Sequence, residues 1–284
     1  VIRLDAATVL LQWAVGGLFF GWITTRRREV SLGYGWMLRV TYLLLALGAV
    51  VTGVRYGEDV PLRDLASAGV VLASLAALAV SIRRRKGGVT GEREREEVRS
   101  ARVAAMTGIE RAREAPDHDA AEFPPALDLV APAIGLIGLV AAGVAAGDPP
   151  ILSVARVVVG AAFLGVVTDA MLLGHWYLVQ PGMPRAALLE LVRWAAVIWP
   201  FEVAVLVWPT GMMSVITGTI DDGYNGILGW MWIACAVSTI VLVGVTRAAL
   251  KERQYSAVMA ATGLLYLAIL TAFGTDLVAR AVLA

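Results

Sequence analysis

Cysteine and histidine are nearly missing from this 284-residue chain, which has one of the first and two of the second. The lone Cys235 excludes an internal disulfide, a Cys-x-x-Cys-His haem attachment and a cysteine-ligated iron–sulfur cluster. His118 and His175 do not make a bis-histidine haem site in a helical bundle, because His118 falls in a polar segment. Haem b would need an axial Met171, Met212 or Met213, or a haem shared between two copies, and is not expected. Asp117-His118-Asp119 offers one imidazole and two mobile carboxylates, a poor metal site, so no metal is expected there. Walker-type loops, paired metal-binding motifs and a Gly-x-Ser-x-Gly elbow are also lacking. A net charge of +1 gives no footprint for a nucleic-acid partner.

Charge itself is scarce. Charged residues make up 17% of the chain and are bunched, while 58% is hydrophobic, above the roughly 45–50% usual for soluble domains. Mean hydropathy is +0.73. Long apolar runs between short charged clusters are the pattern of repeated bilayer crossing, since each crossing takes about 20 apolar residues. Eight spans can be read, at roughly 6–25, 36–55, 65–82, 126–146, 151–178, 187–209, 225–246 and 256–282. The first run continues into a span of full length, so it reads as a membrane helix and not as a cleavable leader. The runs are continuously apolar, without the ten-residue alternation of a β-barrel. Helices satisfy their own backbone in lipid, so the expected fold is an all-α membrane bundle.

The loops alternate in charge. The first holds Arg26, Arg27 and Arg28, the third Arg83 to Lys86, the fifth Arg185, and the seventh Arg247, Lys251 and Arg253. Between them stand Gly57-Glu58-Asp59, Gly147-Asp148-Pro149-Pro150 and Asp221 to Gly226. Lysine and arginine mark cytoplasmic loops, so both termini are expected outside and the basic loops inside, in an inner or plasma membrane.

The chain thus divides into spans one to three (1–82), a charged cytoplasmic insertion (83–125) and spans four to eight (126–284). Gly91 to Ala115 reads as a helix in which Glu92, Glu94, Glu96 and Glu97 interleave with arginines at i,i+3 and i,i+4 spacings. It is either a solvated helix near the headgroups or a docking element for a protein partner. Leu18 to Trp22 and Leu172 to Trp176 resemble each other, and Arg39 and Arg193 follow at similar spacing, which suggests a 4+4 tandem repeat. In span four, Gly135, Gly138 and Gly143 favour close helix approach.

Ionisable groups inside a bilayer are costly, so each is a candidate functional residue. Span five holds Thr168-Asp169 near mid-membrane and His175-Trp176-Tyr177 near the cytoplasmic end. Glu190 and Arg193 open span six on the same side, where they can approach His175. Such a cluster suits a quinone headgroup, which needs polar partners, proton exchange and an apolar slot. Interfacial anchoring of His175, Trp176 and Tyr177, with a structural Glu190–Arg193 pair, is the plainer reading. Glu202 follows Trp199-Pro200, and with Asp169 is a candidate step in a proton path if the two helices are neighbours. Asp276 and Arg280, at i,i+4, are expected to pair near the outer face; Tyr266 and Thr271 lie deeper.

Three functions follow. The first is a membrane subunit of a respiratory or redox complex, cofactor-free except for a bound quinone, docking partner proteins. In span count and cluster placement the chain looks like the haem-free eight-helix anchor subunits of quinone-linked oxidoreductases, an analogy of architecture only. The second is a proton-coupled secondary transporter, supported by Asp169, Glu202 and the proline in span six. The third is a structural or assembly protein whose membrane charges pair with one another.

Overall fold

The computed structural model describes residues 3–57, 59–107, 121–147, 149–180, 183–209 and 211–284. Every regular element among them is helical: α1 (Ala6–Thr25), α2 (Leu32–Tyr56), α3 (Pro61–Arg83), α4 (Thr90–Thr107), α5 (Val130–Ala146), α6 (Pro150–Val179), α7 (Ala186–Val207), α8 (Met212–Ile216), α9 (Ile227–Ala249) and α10 (Tyr255–Leu283). Short 3-10 turns occupy Arg85–Gly87 and Pro125–Leu129. The ends follow local chemistry. Asp5 caps α1 by accepting from the amides of Ala7 (3.3 Å) and Thr8 (3.1 Å). Pro61 and Pro150 start α3 and α6, where a missing N–H costs nothing.

Among the described residues, seven helices are long and apolar enough to cross a membrane: α1, α2, α3, α5 with its preceding turn, α6, α9 and α10. The expected sixth span is α7, a helix of 22 residues that carries Glu190, Arg193 and Glu202. It runs unbroken through Pro200. The surface is that of a membrane protein. Ile151, Leu65 and Leu270 are 86%, 71% and 68% exposed, whereas Arg63, Arg156 and Arg280 are among the largest fully buried side chains. Water would favour the opposite arrangement.

The helices pack as two rings. In one, α1, α2, α3 and α5 are each against the next, and α5 closes back on α1; in the other, α6, α7, α9 and α10 do the same. The rings join where α1 lies along α6, with α5 also against α6. Lacking Cβ atoms, Gly16 and Gly165 let these backbones touch: a Cβ on Gly16 would overlap the Ala161 carbonyl, and one on Gly165 would overlap Gly16. The three glycines foreseen in span four do the same, Gly135 against Val15, Gly138 against Ala66 and Gly143 against Val154.

The basic loops gather at one end. Arg26 and Arg27 reach Glu190 of α7, Arg28 reaches Glu122, and Arg185 donates to the carbonyls of Leu250 (3.2 Å), Arg253 (3.1 Å) and Gln254 (2.9 Å). The charged helix α4 begins on this face: the Gly91 amide donates to the Arg28 carbonyl at 3.1 Å, and Gln180 donates to Glu92 at 2.8 Å. Its described part ends at Thr107, and the remainder of the expected helix, with Asp117, His118 and Asp119, lies outside the described residues. The two copies of the short sequence echo sit in different surroundings. Arg39 is buried and paired with Asp128, whereas Arg193 is exposed; Gly21 lies by Leu38 and Asp169, Gly174 by Thr262 and Leu265.

Candidate functional site

Asp169 is fully buried, ten residues from the end of α6, which is about 15 Å along the axis. It faces α1 and α2. Tyr42 of α2 donates its hydroxyl to Asp169 Oδ1, and Tyr34 Oη lies 3.5 Å from the Asp169 carbonyl oxygen. A Cβ on Gly17 of α1 would overlap the Tyr42 ring, so the absent side chain makes the space that brings phenol to carboxyl. Asp169 Oδ2 has no hydrogen-bond partner among the described residues, and the Cβ position of Gly21 is 3.6 Å from it.

Gly21 also lines a small cavity of about 10 Å³ with Thr25, Gly35, Arg39 and Asp128. A second cavity, about 40 Å³, shares Thr25, Gly35 and Arg39 and continues to Arg28 and Glu122 at the basic face. The spaces are sized for waters. Where they meet, Arg39 makes two 2.8 Å bonds to Asp128, reaches Ser81 at 3.3 Å, and stacks over Phe123 at 4.3 Å. Polar groups therefore extend from the basic face as far as Arg39 and Asp128, and Gly21 stands between their cavity and Asp169.

A second polar cluster lies nearer the other end. Arg280 donates to Asp276 at 2.7 Å, as the i,i+4 spacing suggests, and also to Gln12 Oε1 and to the Arg3 carbonyl at 3.2 Å. Glu202 of α7 is fully buried and close enough to feel the charges of Asp276 and Arg280, yet neither of its oxygens has a partner among the described residues. Trp199, one turn earlier, donates to the Ala236 carbonyl of α9 at 2.9 Å.

The convergence expected around His175 is not what the helices produce. His175 is exposed on the outer side of α6, its Nδ1 3.2 Å from the hydroxyl of Tyr266 on α10. Tyr177 turns inward and donates to the Pro184 carbonyl, tying the turn into α7. Glu190 is held by Arg26 (2.9 Å) and Arg27 (2.8 Å), and Arg193 is exposed with no ion-pair partner among the described residues. The reason is rotational: α7 presents Glu190 to the first loop, while residue 175 falls on the α10 side of α6. Trp176 occupies the α2 side, with Nε1 3.0 Å from Ser31 Oγ and its ring centroid 6.0 Å from that of Tyr34. Asp169 and Glu202 stand on neighbouring helices, but their carboxyls face different groups.

Sequence reasoning passed over Tyr34, Tyr42, Asp128 and Gln12, and used Arg39 only as a mark of the repeat. Arg39 and Asp128 carried a usable signal, opposite charges inside two spans at the same end. Outside the spans, Asp222 accepts from the amides of Tyr224, Gly226 and Leu228 at 2.8–2.9 Å. Desolvation is the largest single influence and works the other way, but these amides together hold its carboxyl below the usual aspartate value. Among the described residues no group of three or more His, Cys, Asp or Glu is placed to hold a metal ion. No family model, curated protein or solved structure matches this chain, so its chemistry is read from its own geometry.

Proposed function

We propose that the protein is a membrane subunit of a respiratory or redox assembly, without a covalently held cofactor, whose own contribution is to exchange protons between the basic face and Asp169. The carrying observation is Asp169 itself: fully buried, bonded by Tyr42, with one oxygen unpartnered among the described residues beside Gly21, which lines the inner of two small cavities. A carboxylate at that depth is expensive, and its common uses are proton relay and ion pathways.

In this reading α7 is an eighth span. Its 22 residues reach about 33 Å, enough for a hydrocarbon core of about 30 Å. Glu190 pairs with Arg26 and Arg27, Glu202 is buried inside the protein, and Arg193, near the helix start, can snorkel. In the same reading the gathered arginines mark a cytoplasmic face, with residues 83–125 in the cytoplasm and both termini outside, in a bacterial inner membrane. Two rings of four helices, each closed in the same order, favour a 4+4 duplication. His175 and Tyr266 offer an imidazole and a phenol on an outer, lipid-facing surface, where a quinone headgroup arriving from the bilayer would meet them. Residues 90–107 begin on the cytoplasmic face as a docking element for a partner protein.

The test is proton uptake by the gently purified protein in liposomes, together with mass spectrometry of the native assembly for partner subunits and quinone. Asp169→Asn abolishes uptake, and His175→Ala removes quinone while leaving insertion intact. Undiminished uptake in Asp169→Asn overturns the proton role. A second reading, a proton-coupled transporter, is favoured by the separate Glu202 cluster near the other face. It predicts solute-driven uptake by the isolated chain without any partner.

A further inference from the structure

We propose that Glu202, with Asp276, Arg280 and Gln12, forms a second proton-binding site, reached from the face that bears the chain termini, and that Glu202 holds the proton. The inference does not depend on the role of Asp169. Glu202 is fully buried, and both of its oxygens lack a donor among the described residues. The cations near it are bonded to other acceptors. From α10 come Asp276 and Arg280, whose Nε, Nη1 and Nη2 go to Asp276, the Arg3 carbonyl and Gln12. From α6 comes Arg156, whose Nε donates to the Val205 carbonyl at 2.7 Å. In α8 there is no ionisable side chain; α9 has Arg247, in its last turn at the opposite end, and the thiol of Cys235, which lies against Gly274 of α10.

Two further buried atoms are unpartnered in the same place, Asp276 Oδ1 and Gln12 Nε2. Both crowd the surface of Gly160, where a Cβ would overlap Gln12 Nε2 and lie 3.0 Å from Asp276 Oδ1. The glycine keeps open a polar space that a larger residue would fill. An ionised Glu202 would carry a negative charge with no donor on either oxygen among the described residues, while the Arg280 guanidinium already serves Asp276. In a low-dielectric interior a proton is the smallest group that removes that charge. The unsatisfied acceptors and the amide then suit one or two bridging waters.

A cavity of about 20 Å³, room for about one water, is lined by Arg3, Asp5, Thr8, Arg63 and Arg280, and brings the terminal-bearing face as far as the Arg280 side chain. The step balances simply: a hydronium ion delivers its proton to a Glu202 oxygen and remains as water, with no other bond changed. Toward the other face the way is closed. Nine residues of α6, about 13.5 Å, separate Gly160 from Asp169, and the Gly16–Gly165 backbone contact fills that interval.

The experiment is infrared difference spectroscopy of the full chain in lipid nanodiscs, near neutral pH, in water and in deuterium oxide. Glu202→Gln removes one protonated-carboxyl C=O band, that band shifts in deuterium oxide, and Asp169→Asn leaves it in place. Glu202→Asp keeps a band at a moved frequency, which separates loss of the group from loss of the fold. Removal of an ionised carboxylate band by Glu202→Gln, or a band that never exchanges with deuterium, overturns the proposal. Proton uptake in Asp169→Asn liposomes is a separate readout, so failure of either site is seen on its own.

Discussion

Tyr42 reaches Asp169 only because residue 17 has no side chain; phenol and carboxyl come from helices 127 residues apart and meet beside the bare backbone of α1. The pair makes the first prediction. Tyr42→Phe keeps the ring and deletes the donor, leaving a second Asp169 oxygen without a partner. A buried acceptor stripped of its donor costs about 1–3 kcal/mol, so unfolding in mild detergent moves to lower temperature. A thermal midpoint equal to that of the native chain would remove Tyr42 as a partner of Asp169.

The Arg39–Asp128 pair, both members nearly inaccessible, gives the second. Breaking a buried pair at one end strands the other charge, at about 3–5 kcal/mol. Arg39→Met and Asp128→Leu should each destabilise strongly, and the double variant much less than their sum. Arg193→Ala, at an exposed position, should stay within about 0.5 kcal/mol of the native chain. A double-mutant cycle in a denaturant series reads both statements.

At the α1–α6 seam there is no slack. Gly165→Val forces branched bulk into the Gly16 backbone, where overpacking of about 1–3 kcal/mol is the least to expect. Gly244→Ala and Gly263→Ala face open space and should be neutral or slightly stabilising, since alanine is the better helix former. Expression level and monodispersity of the three variants rank them.

Asp222 provides a pH effect with a definite sign. Its folded value lies below the unfolded one, so the bonds it accepts contribute fully above about pH 4, the ordinary aspartate range, and are lost as pH falls through the depressed value. The protection factors of the Gly226 and Leu228 amides, which correct for the intrinsic slowing of exchange in acid, should fall on acidification in the native chain. Asp222→Ala should lack that protection at every pH.

Much of the architecture was legible because the bilayer imposes it: apolar runs of span length became helices, and clustered arginines came together at one end. Asp276 with Arg280 was legible too, since i,i+4 neighbours share a helix face. The Asp169 environment was not, because its partners lie in α1 and α2 and no periodicity within α6 reports on them. Nor could spacing foretell that Glu190, 15 positions after His175, turns to Arg26 and Arg27 instead. How a helix is rotated about its own axis against a neighbour is decided by where the glycines sit in contact. That is a property of pairs of helices, invisible in either one alone.

The Gly16–Gly165 contact has a mechanical consequence. Backbone lies against backbone there, with no side chain to rotate aside, so the two rings of helices cannot slide past each other at this crossing without first moving apart.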